Sequence, residues 1–432
     1  MQTLGCPKNE ADSDALARRL RRDGHAGVPA DAASLVIVNT CGFIDAAKEE
    51  SIAALLDAVE YAHARGARVA AVGCLIERYR GELAEELPEV DLWCGLDWEP
   101  LLAELRDPAS REGSRADGAE RAAVSVAVPR RPRPVSSYVK ISDGCDRRCA
   151  YCAIPLVKGE YEPVAAAEVL SAARAALAAG ARELVLVGQD TSRWAQPGWG
   201  GLERLLAELE VLEPAPLWLR LLYLQPDGVD DALLTALGRH AVPYLDIPLQ
   251  HASGAVLRRM GRAGDGEAYL ELLGRVRAAL PGAAVRSTFI SGLPGETEDD
   301  ADELVAFVRA AGLSAAGVFA FDAQEGAPAA GMSAQVPPKL AFERAARLGE
   351  AIDEVASGYW AALAGQSIDV LVERGTARVD GVSVGRCALQ APDIDGRVML
   401  SGRPARRGRR RRAVVTDSVG YDLSAVAGSP GS

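Results

Sequence analysis

The chain has 432 residues, of which 49% are apolar and 25% are charged, and this composition excludes an extensively disordered protein. Its 60 acidic residues outnumber its 48 basic ones, and the resulting net charge of −12 excludes a general binder of polyanions. Aromatic residues make up only 5%, and no run of about 18 apolar residues occurs, so we expect neither an extended base-stacking surface nor a membrane-spanning helix.

Length and cysteine usage narrow the class of protein further. A soft prior of about 150 residues per domain predicts about three domains. Residues 1–10 lack a basic stretch followed by an apolar one, so no secretory signal is recognisable, and we expect a cytoplasmic protein. In a reducing compartment, eight cysteines are better explained by metal binding or catalysis than by disulfide bonds.

The first 106 residues are predicted to form a parallel sheet with flanking helices. Apolar runs at 35–38 and 69–72 are typical of buried strands, and helical patterns cover 9–22 and 45–65. Strands and helices that alternate in this way favour a parallel sheet.

Three cysteines of this segment each follow a predicted strand. Cys6, Cys41 and Cys74 lie just past short strands, whose carboxyl ends share one edge of an open parallel sheet, where ligands bind. We expect them to converge, and three thiolates at one edge suit an iron–sulfur cluster. The alternative is three buried small hydrophobic residues, as free cysteines often are. Cys94 follows a possible fourth strand, where core packing is favoured over a role as a fourth ligand.

The middle of the chain is predicted to form a linker and then an open barrel. Residues 107–134 are rich in Gly, Ser, Pro and scattered charge, which is typical of a linker. Six candidate strands follow at 138–141, 184–187, 217–224, 244–247, 285–290 and 317–321. Helical stretches such as 165–179 and 299–311 separate them, so we expect a partial (βα)6 barrel with its chemistry at the strand carboxyl ends. A long helix over 338–363 closes this region.

The last 67 residues are predicted to form a small all-β module. Short strands at 368–372, 397–400 and 413–415 are separated by turns, which favours a small barrel. This segment holds 11 basic and 7 acidic residues, a net charge of +4 in an otherwise acidic chain. The dense basic run at 406–412 is either a solvated loop or a contact with RNA.

A tight cysteine cluster, C-x3-C-x2-C, follows the first barrel strand. Cys145, Cys149 and Cys152 supply three thiolates from one loop, and three thiolates on a four-iron cluster leave one iron open to a cofactor or substrate. A structural zinc site requires four protein ligands, and no histidine or fourth cysteine lies near in sequence. Iron–sulfur binding is therefore favoured over zinc.

The loop at 144–155, GCDRRCAYCAIP, resembles the signature loop of the radical S-adenosylmethionine (SAM) superfamily. In that superfamily, SAM chelates the open iron, and the reduced cluster cleaves SAM to a radical that abstracts a hydrogen atom from an unactivated C–H bond. The resemblance implies that Cys145, Cys149 and Cys152 hold a SAM-cleaving cluster and are the catalytic residues. The cofactor carries this chemistry, while the barrel orients it and excludes water.

The two ends of the chain resemble the methylthiotransferase family within that superfamily. Residues 3–9 (TLGCPKN), 39–43 (NTCGF) and 73–75 (GCL) resemble its N-terminal domain, and the C-terminal module resembles its TRAM domain. The resemblance implies that Cys6, Cys41 and Cys74 hold a second 4Fe-4S cluster, which supplies or relays sulfur. We expect an α/β chain made of a methylthiotransferase domain, a linker, a radical SAM core and a TRAM domain, at 1–106, 107–134, 135–365 and 366–432.

Several stretches are similar to one branch of this family, which methylthiolates the β-carbon of an aspartate in small-subunit ribosomal protein S-twelve. They are 186–191 (LVGQDT), 244–253 (YLDIPLQHAS), 258–260 (RRM), 391–396 (APDIDG) and 420–423 (GYDL). The expected partner is S-twelve, free or in the small subunit, with a possible contact to ribosomal RNA through the TRAM domain. The sequence indicates no electron donor. The alternative is the branch that modifies a prenylated adenosine in tRNA, where we expect Asn in place of Asp190.

A glycine-bearing loop after the fifth barrel strand resembles the family's SAM-contacting loop. Residues 292–297 (GLPGET) place Gly292, Gly295 and Glu296 there, and glycines allow a backbone to approach a ligand closely. The loop is equally typical of a plain turn before a helix with Thr297 as its N-cap. Three more candidates for contact with the cofactor lie near strand carboxyl ends: Gln189, Gln250 and Ser253. His251 is either a site residue or a structural histidine.

The sequence departs from the family pattern at three places. Only five residues precede Cys6, too few for a full strand, so we expect the true start upstream or a missing N-terminal piece. Lys158-Gly159 follows the radical loop without the arginines that usually come next, so substrate contacts there are expected to differ. The TRAM segment, with its net positive charge, is less acidic than expected for a protein-modifying member, so an RNA substrate stays open as an alternative.

Overall fold

The computed structural model describes residues 1–106, 125–127, 135–375, 381–402 and 404–428. Its contacts divide the chain into two compact units. The first unit comprises the N-terminal segment together with Asp143–Asp146 and Ala153–Tyr161. The second comprises residues 135–142, Arg147–Cys152 and the chain from Glu162 onward.

Helices and strands alternate through most of the described residues. The helices are α1 (Pro7–Arg22), α2 (Asp45–His63), α3 (Cys74–Glu86), α4 (Glu99–Arg106), α5 (Ile154–Lys158), α6 (Ala166–Ala178), α7 (Leu202–Glu210), α8 (Asp231–His240), α9 (Gly254–Arg259), α10 (Gly266–Ala279), α11 (Glu298–Ala311) and α12 (Pro338–Ala361). The first strands are β1 (Gln2–Thr3), β2 (Ala26–Val28), β3 (Leu35–Thr40), β4 (Arg68–Gly73), β5 (Leu92–Trp93), β6 (Ser125–Ala127), β7 (Ser136–Lys140), β8 (Ser142–Asp143), β9 (Glu162–Pro163) and β10 (Glu183–Val187). The remaining strands are β11 (Ala195–Gln196), β12 (Gly200–Gly201), β13 (Trp218–Leu221), β14 (Tyr244–Asp246), β15 (Ala284–Ser291), β16 (Ala315–Ala320), β17 (Ser367–Arg374), β18 (Ser383–Cys387), β19 (Val398–Ser401), β20 (Arg410–Val419) and β21 (Asp422–Ala427).

The first unit contains the parallel sheet predicted from the alternation of strands and helices. Its strand order is β2-β6-β3-β4-β5, with β1 paired to β3, and every pairing is parallel. All six residues of β3 are buried, as expected for an apolar strand covered on both faces. Because parallel strands end at one edge, this sheet brings the segments that follow β1, β3 and β4 together.

One strand of this sheet lies where the sequence predicted only a linker. β6 pairs with β2 along its length and with Leu35 of β3 through Val126, which is buried. Its short apolar run lies in a stretch rich in Pro, Arg and Gly, so the composition of the segment did not predict a strand. The rest of 107–134 lies outside the described residues, and the domain boundaries stay a prediction.

The second unit contains the six predicted barrel strands in sequence order. They form two parallel three-stranded sheets, β13-β10-β7 and β14-β15-β16. Backbone hydrogen bonds join them, because Leu224 N–H donates to Asp246 O at 2.9 Å and Val242 N–H donates to Leu219 O at 2.8 Å. The main apolar core lies between these strands and the helices that follow them. The open, partial barrel predicted from the sequence is confirmed.

The C-terminal module of the second unit is a closed five-stranded barrel, in the order β17-β18-β19-β21-β20. Two of its strands were not predicted. β18 contains Gly385, where a Cβ would come within 2.2 Å of Leu371 O, and Arg386, a charge that is buried in an ion pair. β21 alternates between inward Leu423 and Ala425 and outward Ser424 and Val426, so its apolar signal is weak. The small β-barrel itself is confirmed.

No helix in the described ranges is both long enough and apolar enough to cross a bilayer.

Candidate cluster and cofactor sites

Three thiol-bearing turns meet at the carboxyl edge of the first unit's sheet. Cys6 is the N-cap of α1 behind β1, Cys41 follows β3 directly, and Cys74 opens α3 behind β4. Gly5 adopts a φ of 85°, and a Cβ there would lie 2.6 Å from Cys41 Cβ and 2.8 Å from its Sγ. This close approach of the first two turns requires a glycine at position 5.

Asn9 holds the three turns together through its side chain and backbone. Its Nδ2 donates to Leu4 O at 2.9 Å and to Thr40 O at 3.1 Å. Its Oδ1 accepts a contact from Cys74 Sγ at 3.8 Å, and its backbone oxygen accepts from Asn39 Nδ2 at 3.0 Å. The side chain therefore contacts the turns before Cys6 and Cys41 and reaches the thiol of Cys74.

The three thiols influence one another electrostatically. Burial raises the pKa of Cys41, and the charge on Cys6 adds to this. Burial also raises the pKa of Cys74 to about 12, and the charges on Cys6 and Cys41 raise it further. As thiolates, these groups require a positive charge among them, which an iron–sulfur cluster provides.

Three thiols at one sheet edge are the kind of donor set that iron–sulfur clusters use. Within the described residues, no three His, Cys, Asp or Glu side chains lie close enough together to hold one metal ion. A four-iron cluster is wider than an ion and is held by cysteine thiolates. Cys94, by contrast, is buried in the apolar core of the first unit, as the sequence predicted.

The C-x3-C-x2-C loop is held at several points in each unit. In the first unit, Cys145 N–H donates to Gly159 O at 3.0 Å, and Gly144 has a φ of 66° beside Glu160 O. In the second unit, Cys152 N–H donates to Cys149 O at 3.1 Å, and Ala150 N–H donates to Met260 O at 2.9 Å. The loop therefore has an ordered backbone on either side of its cysteines.

Arg147, between the first two cysteines of this loop, is clamped by two carboxylates. Its Nε lies 2.8 Å from Asp190 Oδ2, and its Nη1 lies 2.8 Å from Asp227 Oδ2. Asp190 is fully buried at the end of β10, and its other oxygen accepts from Ser192 Oγ at 2.6 Å. Asp190, where the sequence analysis expects Asn in the tRNA-modifying branch, thus contacts the loop that carries Cys145, Cys149 and Cys152.

Arg262 and Tyr151 surround Cys149. Arg262 Nη1 lies 3.9 Å from Cys149 Sγ and donates to Gln225 Oε1 at 3.0 Å, while its Nη2 donates to Pro248 O at 2.9 Å. Burial raises the pKa of Tyr151, and the charge on Cys149 raises it further, so the phenol stays protonated. The sulfur of Cys149 therefore lies beside a fixed positive charge and a neutral hydroxyl group.

Two of the predicted cofactor-contact residues follow β14. Gln250 is buried with a φ of 71°, and its backbone pairs with β15 through Thr288 O and Ile290 N–H, both at 2.9 Å. A non-glycine residue in this left-handed region is strained, and such strain clusters at functional sites. Ser253 caps α9 and donates its hydroxyl hydrogen to Asp300 Oδ1 at 2.6 Å, so this hydroxyl has a structural partner.

The predicted loop after β15 is organised around the carboxylate of Glu296. This group accepts from Gly292 N–H at 2.7 Å and from Ser291 Oγ at 3.3 Å, and it pairs with Arg344 at 3.1 Å. Gly292 has a φ of 88°, and a Cβ there would lie 2.3 Å from Ala341 Cβ. Glu296 therefore shapes the loop from inside, while Thr297 caps α11 with a capping box, as the plain-turn interpretation predicts.

The remaining candidates lie at neighbouring positions of the second unit. His251 is fully buried, accepts from Ser253 N–H at 3.0 Å through Nδ1, and has its Nε2 3.6 Å from Glu296 Oε2. Gly295, with a φ of 78°, accepts on its oxygen from Arg259 Nη1 at 2.8 Å. Gln189 lies one residue past Gly188 at the end of β10, on the other three-stranded sheet. The structure thus groups the residues after β14 and β15, with Gln189 at a separate strand end.

Several residues at these sites were not singled out from the sequence. They are Asn9, Arg147 and Arg262, which act through partners distant along the chain that composition and spacing do not reveal. The signals were weak but present, because Asn9 closes the TLGCPKN stretch and Arg262 lies two residues past RRM.

Comparison with known proteins covers nearly the whole chain. Three family models match: Uncharacterized protein family UPF0004 at residues 1–95, the Radical SAM superfamily at 139–308 and the TRAM domain at 364–427. A ribosomal protein uS12 methylthiotransferase RimO from Desulforudis audaxviator is 41% identical over 98% of this chain and 95% of that protein. Proteins of the same name from Anaeromyxobacter sp. strain K and Geobacter sulfurreducens are 38% and 37% identical, each over 98% of this chain and 92% and 97% of their own lengths.

Proposed function

Because the chain belongs to the RimO family of ribosomal protein uS12 methylthiotransferases, we propose that it adds a methylthio group to the β-carbon of an aspartate in that protein, the S-twelve protein of the small subunit. The chain is a radical SAM enzyme whose cofactors are SAM and two 4Fe-4S clusters. The observation that carries the proposed substrate is the similarity to these relatives along 98% of the chain. Both cysteine groups lie within residues matched by the family models, at 1–95 and 139–308.

The proposed reaction divides its work between two clusters. Cys145, Cys149 and Cys152 hold the cluster that cleaves SAM, and Cys6, Cys41 and Cys74 hold the cluster that supplies sulfur. When bound, the first cluster and SAM supply one-electron chemistry that removes a hydrogen atom from a carbon no general base deprotonates easily. Two molecules of SAM would be used, one for the radical and one for the methyl group.

The chain's own residues orient and shield this chemistry. Arg147 fixes the cluster loop to Asp190 and Asp227, and its two ion pairs of 2.8 Å limit movement of the cysteines beside it. Arg262 places a positive charge 3.9 Å from Cys149 Sγ, which stabilises the thiolate as a ligand. These contacts support a cluster held in one orientation, as a reaction that depends on close positioning requires.

SAM is proposed to bind at the strand ends of the second unit. Gln189, Gln250 and Ser253 lie just past those ends, and the loop with Gly292 and Gly295 follows β15. Glu296 is proposed to act by holding this loop open for the cofactor, because its carboxylate oxygens are engaged with Gly292 N–H, Ser291 and Arg344. The left-handed backbone of Gln250 supports a functional role for this edge.

The TRAM barrel is proposed to contact ribosomal RNA while the enzyme modifies the cytoplasmic small subunit. Arg410 and Arg412 are exposed on β20, and their nearest carboxylate, Asp369, is 3.9 Å and 3.8 Å away. Pairs this long and exposed hold the arginines weakly, so both remain open to phosphate groups. Phosphate contacts by basic side chains fix position without reading sequence.

A competition assay tests the proposed substrate. The protein is reconstituted anaerobically with iron and sulfide, reduced, and given SAM with an S-twelve loop peptide, small subunits that lack the modification, and unmodified prenylated tRNA. Mass spectrometry of each substrate is expected to find a methylthio increment on the S-twelve aspartate. An increment confined to the tRNA would overturn the proposal in favour of the tRNA branch.

Matched cysteine variants test the cluster assignment in the same assay. Cys149→Ala is expected to abolish SAM cleavage, because it removes a proposed ligand of the SAM-cleaving cluster. Cys387→Ala, a buried cysteine in the apolar core of the TRAM barrel, is expected to retain cleavage. Cleavage at the wild-type rate by Cys149→Ala would contradict the assignment.

A further inference from the structure

A buried ion-pair cluster in the first unit joins the two cysteine-bearing segments of that unit. Lys158, at the end of α5, has a side chain only 3% exposed, and its Nζ lies 3.1 Å from Asp12 Oδ2 and 3.4 Å from Asp143 Oδ2. Asp12 is 4% exposed. A lysine is almost never buried this completely unless it is paired, as Lys158 is with these two carboxylates.

Each of the two carboxylates that pair with Lys158 lies close to a cysteine, either in space or in sequence. Asp12 lies three residues past Asn9 on α1, so both side chains share one face of that helix, and Asn9 reaches Cys74 Sγ at 3.8 Å. Asp143 lies two residues before Cys145. α5 also packs against α3, the helix that Cys74 opens.

The charge of Lys158 lies near the turn that carries Cys74. α5 packs against α3, and Lys158 Nζ contacts Asp12 on the face of α1 from which Asn9 reaches Cys74 Sγ. Burial alone would lower the pKa of Lys158, but Asp12, Asp143 and Cys74 outweigh it and hold the pKa above its ordinary value. Lys158 is therefore a permanent positive charge in a water-poor place, where Coulomb interactions are strong.

We propose that Lys158 is the counter-charge of the cluster held by Cys6, Cys41 and Cys74, and that Lys158 and Asp12 together set the reduction potential of that cluster. One-electron reduction adds a negative charge to a cluster, so a nearby ammonium group favours the reduced form and a nearby carboxylate disfavours it. The inference rests on the proposed function for the assignment of these three ligands. Lys158 is a positioning residue here and touches no reacting atom.

The test isolates one cluster and measures its potential. A background with Cys145→Ala, Cys149→Ala and Cys152→Ala is reconstituted so that only the N-terminal cluster is present, and its midpoint potential is determined by redox titration followed by electron paramagnetic resonance. Into this background we introduce Lys158→Gln, Lys158→Arg, Asp12→Asn and the control Lys339→Gln, which removes a lysine that is 90% exposed.

Opposite shifts are expected from the two partners. Lys158→Gln should disfavour the reduced cluster at least tenfold, which for a one-electron couple is about 59 mV toward more negative potential. Asp12→Asn should shift the potential toward more positive values, while Lys158→Arg and Lys339→Gln should stay near the parent. A purely structural role would broaden or lose the signal in both Lys158→Gln and Asp12→Asn alike.

Two different results would overturn the inference and are distinguishable. An intact cluster whose potential is unchanged in Lys158→Gln, or shifts in the same direction in Asp12→Asn, overturns the role of Lys158 alone. A parent background that binds no iron overturns the assignment of Cys6, Cys41 and Cys74, and the role of Lys158 with it.

Discussion

Arg147 and Asp190 illustrate how one buried ion pair positions a reactive loop. Arg147 belongs to the loop that carries the three cysteines, and Asp190 lies three residues past the second barrel strand with a side chain that is fully buried. Arg147 also contacts Asp227, whose side chain is 62% exposed. One guanidinium group therefore contacts a buried and an exposed carboxylate at the same distance. The effect of burial on the strength of an ion pair can thus be compared between Asp190 and Asp227.

Asp190→Asn should destabilise the cluster loop more than Asp227→Asn does. The first change removes a charge-assisted hydrogen bond inside the protein, which costs about 2 kcal/mol of unfolding free energy. The second removes a solvent-screened pair, which costs below ~1 kcal/mol. Urea unfolding and the iron retained after reconstitution measure both effects, and equal losses in the two variants would contradict the importance of burial.

The proposed metal ligands were easier to predict from the sequence than the residues that hold those ligands in position. The cysteines have a spacing and a chemistry that point to iron, and Cys94 was recognised as a core residue because it follows a strand without a resembling motif. Asn9, Arg262 and Lys158 have no such signal, because their partners are 31, 113 and 146 residues away along the chain. Only the fold brings them together.

At the scale of elements, β10, β13 and β18 meet around a buried carboxylate. Glu183 of β10 is fully buried and lies 2.8 Å from Arg220 Nε and 2.6 Å from Arg386 Nη2, and it accepts from Ser136 Oγ at 2.6 Å. Burial alone would raise the pKa of Glu183, but Arg386 and Arg220 outweigh it and hold the pKa at about 2. The ionised carboxylate therefore links two barrel strands to the TRAM barrel.

Glu183→Gln should lower the stability of the second unit in a pH-dependent way. Removing one partner of a buried ion pair costs on the order of 3 kcal/mol, because Arg220 and Arg386 keep their charges. A carboxylate with a lowered pKa stabilises the fold above its ordinary value of 4.5, and this contribution disappears as the pH falls toward about 2. The gap between the variant and the parent should therefore be widest near neutral pH.

Urea unfolding of both proteins, each stripped of iron by chelation, measures this gap between pH 7 and pH 3. Glu373→Gln is the matched control, because Glu373 also pairs with Arg386 at 2.6 Å but is 29% exposed. A gap that is constant with pH would show that the pKa of Glu183 does not change on folding.

Strands and helices were predicted well where their apolar residues follow a regular pattern. They were predicted poorly where a buried ion pair or a glycine packed against a neighbouring backbone interrupts that pattern. The six barrel strands and α12 were recognised within a few residues of their ends, because buried parallel strands form continuous apolar runs. β18 was missed because Gly385 and Arg386 interrupt its pattern, and both are explained only by their neighbours Leu371 and Glu183.

At the scale of the whole molecule, the two clusters differ in the length of chain that they tie together. The proposed ligands Cys6, Cys41 and Cys74 come from turns more than 30 residues apart, whereas Cys145, Cys149 and Cys152 lie within eight residues. A metal group that closes long loops removes more freedom from the unfolded chain than one that closes a short loop. The first unit is therefore expected to depend more on its cluster.

Chelation of iron should loosen the first unit while the TRAM barrel stays intact. Hydrogen exchange followed by mass spectrometry is expected to show lost protection in β3 and β4, which precede Cys41 and Cys74, and unchanged protection in β17 and β20. Equal changes in both sets of strands would mean that the clusters contribute to stability independently of the loops they close.

The first unit is built from three separate segments of the chain, and this affects how it assembles during translation. Its last segment, Ala153–Tyr161, leaves the ribosome some 55 residues after the end of α4 at Arg106, a delay of several seconds at about 5–20 residues per second. Throughout that interval the nascent sheet with its three thiols lacks Lys158 and the rest of α5. Completion of the first unit is thus timed by translation, and it comes only after the loop that carries Cys145, Cys149 and Cys152 has been synthesised.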